Sequence, residues 1–404
     1  MMIAVIGGGA SGLIASLRAR SLGAEVMILE RQPRVGKKLL ATGNGRCNMT
    51  HIGASPSDYH GDTHCMEAAM SAYPPDKIIE YFQSLGIEPL IDNDLVYPRS
   101  EQAHAVLDAL RLTAETLGVR TICDYDVNRI AREGSGFLIQ SADGRGKYAD
   151  KIIMTCGGPA APALGGTDAG LFLLQSLGHK CMSPLPALVQ LQTDTHDTRG
   201  LSGIKFKGSA TIMVNDQKQR TERGEILFTD YGLSGIAILQ LSRIAAQALH
   251  RKKRVSIALH VADDVDMETL RIRRKRLHNL PVEHFLSGLI NKRLGQVLLK
   301  LSGCGSMSKP ICELSDFELE GILLLLNNWP IEVIDTQGFE GAQVTAGGAA
   351  CDQFDPGTLE SRLIKGLYAA GELLNIDGDC GGYNLQWAWA SGLFAADHAA
   401  KGDR

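Results

Sequence analysis

The stretch MIAVIGGGASGLIASLRARSLGAEVMILE, residues 2–30, decides the fold. Its first five residues are an apolar run of the kind that fills a parallel strand buried on both faces. Glycines follow at 7, 9 and 12, and Leu13, Ile14 and Leu17 then recur at helical spacing. Val26–Glu30 reads as a second strand, so strand, helix and strand fit within the roughly 30 residues of a β-α-β unit. Gly7-x-Gly9-x-x-Gly12 therefore sits where a dinucleotide fingerprint belongs. Gly7 permits the tight turn, Gly9 lets a pyrophosphate approach the backbone, and Gly12 lets helix and strand pack closely. Ala10 and Ser11 open the helix, whose free N–H groups and dipole favour an anion. Glu30, 18 residues after Gly12, is placed to accept a hydrogen bond from a ribose 2′-hydroxyl.

FAD and NAD share this fingerprint, and the other end of the chain separates them. Gly366–Ala370 is a short apolar strand followed by Gly371-Glu372, and Gly381-Gly382-Tyr383-Asn384 then opens a closing helix over about 384–400. The strand resembles one in two-dinucleotide-binding flavoproteins that ends in Gly-Asp, and that resemblance implies Glu372 as the ligand of a ribityl chain. The helix N-terminus suits the negative charge that reduced flavin carries near N1 and O2.

Bulk properties bound the rest. With 404 residues the chain exceeds the size at which one core stops growing. A hydrophobic content of 44% and a charged content of 21% fit a globular α/β protein. A net charge of −4 gives no global attraction to nucleic acid or an anionic membrane. Nine scattered cysteines without a CxxC pair read as free thiols. The strand beginning at Met2 leaves no room for a signal peptide, and the longest apolar run, near 322–326, is too short to span a bilayer. A cytoplasmic location is expected.

Along the chain, residues 41–63 form a long Gly-, Asn-, Ser- and His-rich loop of the kind that carries function. Helical patterns follow near 75–86 and 101–117, then strand-like runs near 119–131, 136–142 and 147–154, with a hairpin turn at Asp143-Gly144. The character changes from about 189 to 337. There, strand-like segments precede a helical stretch over 264–301, broken at Pro281 and Gly295, and a helix over 315–328. The expected fold is α/β: a Rossmann-like FAD-binding domain (1–188 and 338–404) interrupted by a mixed β and helical insertion (189–337).

Five segments together resemble a known family: VIGGGASGL (5–13), GKKLLATGNGRCNMT (36–50), VYPRS (96–100), GEILFTDYGLSG (224–235) and GLYAAGELLNIDGDCGGYNLQWAWASG (366–392). The pattern is similar to that of the bacterial BaiN-like or aminoacetone-oxidase-like flavoproteins of the two-dinucleotide-binding superfamily, over nearly the whole chain. The resemblance implies an α/β fold with a Rossmann-like FAD-binding domain interrupted by a β-barrel-like and helical insertion, which matches the break at 189–337. The resemblance implies FAD contacts at Ser11, Glu30, Arg31, Lys38, Asn44, Arg46, Val127, Glu372, Asn384, Leu385 and Gln386. Gly157 and Gly371 are counted with them. The superfamily's ribityl-binding acid is an Asp where this chain has Glu372, and a family His after Phe-Thr is here Asp230.

No residue set announces a catalytic acid or base. Arg46, Asp230, Tyr231 and Tyr383 are the candidates, with the Gly224–Gly235 stretch expected to face the flavin. Cys47 reads as a packing or cofactor-contact residue, because no partner cysteine is near. Cys47-x3-His51 and His60-x3-His64-Cys65 lack a CxxC knuckle, so no metal is expected. The basic run 271–276 follows Asp263, Asp264, Asp266 and Glu268, an order that complements one helix dipole. Two readings result. The first is an FAD-dependent oxidoreductase passing hydride through flavin N5 to or from a small-molecule substrate. Its electron partner is NADH or NADPH, docked transiently because no second GxGxxG occurs, or O2. The second is a flavin-containing binding or RNA-associated protein in which the basic helix matters.

Overall fold

The computed structural model describes residues 1–401. It divides into two compact units, Met1–Leu185 with the chain from Gln343 onward, and Pro186–Ala342.

In the first unit β1 (Met2–Ile6), β2 (Glu25–Leu29), β3 (Arg120–Ile122), β4 (Lys151–Met154) and β5 (Leu367–Ala369) form one sheet. Their order is β5-β4-β1-β2-β3, every neighbouring pair parallel, which is the order of half a doubly wound domain. Ile3, Ala4 and Val5 of β1 and Ile152, Ile153 and Met154 of β4 are fully buried, as a strand covered on both faces requires. The strand order switches direction between β1 and β4, the place where open α/β sheets bind ligands.

Two helices complete this arrangement, α1 (Ala10–Ser21) and α2 (Tyr383–Ala399). A Cβ on Gly12 would lie 1.9 Å from the Gly7 carbonyl oxygen and 2.7 Å from Thr155 Oγ1. One on Gly392 would lie 2.6 Å from the Ser11 carbonyl oxygen. These two bare positions let α1 sit directly on the sheet and α2 directly on α1. The indoles of α2 pin it further, Trp387 Nε1 donating to the Gly371 carbonyl (3.1 Å) and Trp389 Nε1 to the Met49 carbonyl (2.9 Å).

Two expected strands are each divided. The run 119–131 becomes β3 and Val127–Glu133, because Tyr125 turns into the core between them, its hydroxyl 3.0 Å from the Ile139 and Arg145 carbonyls. The run 147–154 breaks at Asp150, whose carboxylate accepts from Met2 N at 2.7 Å while its N–H donates to the Met2 carbonyl. Gly146–Ala149 thus closes an antiparallel three-stranded meander with Gly136–Ser141 and Val127–Glu133, and β4 enters the parallel sheet.

The second unit is built on a closed antiparallel barrel of six strands. In order around it they are Leu191–Thr193, Gly232–Ser234, Gln217–Phe228, Lys205–Val214, Val255–His260 and Trp329–Thr336. Helices Met267–Arg276, Lys292–Leu301 and Asp316–Asn327 follow the barrel core. Gly295 does not break a helix as expected: it lies inside Lys292–Leu301, where a Cβ would stand 3.0 Å from Leu286 Cβ. Helix Ile236–His250, unforeseen in the sequence, buries Ala237, Ile238, Leu241 and Ala245.

A buried histidine makes the first unit sensitive to acid. His179 is 3% exposed, stacks on Phe354, and places Nδ1 3.2 Å from the Leu174 carbonyl and Nε2 2.7 Å from Ser361 Oγ. Burial holds its pKa below the ordinary value despite the Leu174 contact. The unfolded chain therefore takes up a proton first, so the stabilisation is intact above about pH 6.5 and is lost as pH falls toward the lower folded value. Thermal melts from pH 7.5 to 5 should show this slope, and His179→Asn should flatten it. Identical slopes for the two proteins would refute the assignment.

Candidate functional site

A cleft lies at the C-terminal ends of β1, β2 and β4, entirely within the first unit. Its walls include Gly7 to Ser11, Glu30, Arg31, Lys38, Val127, Gly157, Glu372, Asn384 and Leu385. At its centre Gly9 has an ordinary φ of −80°, and a Cβ there would meet nothing within 4 Å. The fold itself leaves room for a side chain at this position, and that open space faces the cleft. Gly7, in contrast, has φ +103° and backs onto Thr155, with no room for a side chain. The first intrahelical bond of α1 runs from Leu13 N to the Gly9 carbonyl, leaving the N–H groups of Ala10, Ser11 and Gly12 without a helical partner. Three adjacent donors at a positive helix end suit a pyrophosphate.

Glu30 closes one end of the cleft. Its Oε2 accepts from Gly8 N (2.6 Å) and its Oε1 from Gln32 N (2.7 Å), which fixes the rotamer and leaves lone pairs for sugar hydroxyls. Arg31 lines the same end while donating to the Gly165 carbonyl at 3.1 Å. The Cys156 thiol also lines the cleft, its pKa pushed up to about 12 by burial, so it stays protonated.

Toward the other end stands Glu372, held by Lys38 Nζ (3.1 and 3.3 Å to its two oxygens) and by Thr345 N (3.1 Å). Beyond it α2 begins. Its first helical bond is Gln386 N to the Gly382 carbonyl, so the Tyr383, Asn384 and Leu385 N–H groups lack helical partners. The Asn384 side chain is engaged, accepting from Gly378 N (2.8 Å) and donating to the Gly378 (2.7 Å) and Asp379 (3.3 Å) carbonyls. Its backbone is what remains for the cleft. Gln386 is spent altogether, its side chain buried between Thr50 Oγ1 (2.7 Å) and the Tyr73 carbonyl (2.8 Å).

Asn44 and Arg46 are absent from the cleft walls. Asn44 (φ +55°) belongs to a tight turn, and Arg46 pairs with Glu101 at 3.0 Å and lies 4.4 Å above the Tyr97 ring. Cys47 is fully buried, and burial drives its pKa up to about 12. The spaced Cys and His residues disperse: His51 stacks on Tyr383 at 4.8 Å, His60 pairs with Asp379 at 2.9 Å, and Cys65 donates to the Cys351 carbonyl. Asp230 and Tyr231 sit in a turn of the barrel unit, Asp230 exposed and the Tyr231 carbonyl accepting from Thr193 N at 3.1 Å. Sequence reasoning missed Gln343 and Val344 on the cleft wall and Thr345 behind Glu372, whose only signal was a Gly-rich return to the first unit.

The model of the HI0933-like protein Rossmann domain matches residues 1–398. The chain belongs to this family. It is an FAD-dependent oxidoreductase. Among similar HI0933-like proteins, a 3-dehydro-bile acid delta(4,6)-reductase from Clostridium scindens is 37% identical over 99% of both chains. A ribosomal RNA dihydrouridine synthase from Escherichia coli is 26% identical over 96% of this chain and 95% of that one. The solved structure of 3-ketosteroid delta1-dehydrogenase from Sterolibacterium denitrificans, with 1,4-androstadiene-3,17-dione, shares the fold. Its TM-score is 0.51 at 13% identity, over 98% of this chain and 99% of that one. FAD fits the residues present, since the cleft has an empty cradle at Gly9, a fixed acid at each end and unpaired N–H groups at two helix starts.

The glycines should respond oppositely to substitution. Gly9→Ala should keep the wild-type melting temperature and lose FAD at least tenfold, because its methyl fills only ligand space. Gly12→Ala forces a methyl into the Gly7 carbonyl and should cost about 1–3 kcal/mol or more of stability. Circular dichroism melts and FAD absorbance per chain separate the two, and full FAD content in a folded Gly9→Val protein would exclude this cleft as the site.

Proposed function

We propose that this HI0933-like protein is a cytoplasmic reductase of a carbon–carbon double bond conjugated to a carbonyl in a small molecule, with NADH or NADPH as electron donor. The observation that carries this reading is the 37% identity, across the full length of both chains, to a protein named for reducing the double bonds of a 3-dehydro bile acid. When bound and reduced by NAD(P)H, FAD would supply the hydride for such a reduction, with the second hydrogen a proton from solvent, so two electrons and two protons balance the change. Glu30 and the Ala10, Ser11 and Gly12 N–H groups hold the adenosine and pyrophosphate half of FAD. Val127, Gly157 and Arg31 line that half, while Gly371, Glu372 and the Asn384 and Leu385 N–H groups serve the flavin half. In the first unit, Tyr383 and Arg46 are the candidates for polar contact with substrate.

The 26% relative's name favours a second substrate, a uridine in ribosomal RNA, whose reduction is the same class of chemistry. The basic run 271–276, on which an RNA-associated reading leans, gives it limited support. Arg271 and Arg274 both pair with Asp316 at 2.9 Å, and Arg273 donates twice to the Phe285 carbonyl and once to that of Ser287. These three cations stitch the helical segment together, which leaves the exposed Lys275 and Arg276 as the run's contribution to any phosphate contact.

Anaerobic mixing with NADH or NADPH should bleach the flavin absorbance. Adding a 3-oxo-4-ene or 3-oxo-4,6-diene steroid acid should restore it and yield a product heavier by two hydrogens in mass spectrometry. Reduced protein that no conjugated ketone reoxidises, but that forms dihydrouridine in a ribosomal RNA transcript, would replace this reading with the second.

A further inference from the structure

We propose that Lys38 is a positioning residue for FAD, acting through Glu372: it locks that carboxylate toward the ribityl chain before the cofactor arrives. Lys38 and Glu372 come from opposite ends of the sequence and meet on the cleft wall. Lys38 Nζ bridges both carboxylate oxygens, and Thr345 N takes Oε1, so the glutamate is held from two directions. Side chains of the pair are 31% and 21% exposed, sheltered enough that the attraction is not fully screened and open enough that one face of each meets the cleft. A long side chain free to rotate would have to be ordered by the ligand, and fixing it beforehand removes that cost from binding.

The length of the acid matters to this device. An aspartate at the same backbone position ends one bond, about 1.5 Å, short. Its carboxylate could not stay near 3.1 Å from both Lys38 Nζ and Thr345 N. Lys38 and the extra methylene of Glu372 therefore form one functional unit: removing either forfeits the same preorganisation.

The test is a double-mutant cycle on the full-length chain, stripped of FAD and titrated with FAD by flavin fluorescence. Lys38→Met and Glu372→Asp should each weaken FAD binding about tenfold. The double variant should bind no worse than the weaker single one, and Lys38→Arg should recover most of the affinity. Melting of the FAD-free proteins should barely change. Independent, multiplying losses would overturn the coupling. A lower melting temperature with unchanged FAD affinity would show a pair that serves only the fold.

Discussion

The approach of α1 to β1, β4 and α2 is set by two missing side chains, at Gly12 and Gly392. A methyl at either position would stand within 2.6 Å of a backbone carbonyl oxygen. Backbone atoms cannot yield as a flexible side chain can, so the N-terminus of α1 has a fixed height above the sheet and a fixed distance from α2. Two helix starts bearing unpaired N–H groups are thereby set at the two parts of one cleft. Gly371 adds a third close approach, its Cβ position lying 2.6 Å from Ser11 Oγ, with its N–H bonded to Ser391 Oγ on α2. The C-terminal return of the chain is thus gauged directly against the N-terminal fingerprint.

This explains which parts of the molecule are legible in its sequence. Residues 2–30 were readable because burial on both faces forces a continuous apolar run, and close backbone approach forces glycine. In the barrel unit the longest strand, Gln217–Phe228, escaped the reading, because it runs QKQRTERGEILF and is largely exposed over its first half. Alternation of apolar and polar residues is absent there, and the partner strand Lys205–Val214 supplies the ladder that holds it. Helix Ile236–His250 failed for the opposite reason: its start, IAIL, is as apolar as a strand, and only its length and the packing of its alanines settle the matter.

Within the cleft the same division holds. Motif position located Gly9 and Glu30, whose roles follow from backbone geometry. It did not distinguish a residue facing the cofactor from its neighbour supporting the loop, so Gln386 lies in the core and Arg46 on Tyr97. Nor does a sequence reveal that positions 38 and 372 meet, since only the return of β5 beside β4 brings them together.

The basic run at 271–276 shows how local charge misleads in the other direction. Five cations in six residues read as a phosphate surface, yet a cation already bonded to carbonyls or a carboxylate has little to gain from a new anion. Arg273 is half-buried, and burial lowers its pKa, which is the cost of removing a guanidinium from water. Its three carbonyl bonds offset that cost, so the residue is fixed where it can cap the chain at Phe285 and Ser287. Arg271 and Arg274 share the single carboxylate of Asp316, the first residue of helix Asp316–Asn327, and so join two helices through one acid. These charges thus work beside a buried core of Leu270, Phe285, Leu298 and Leu319, tying the same helices together from their polar side.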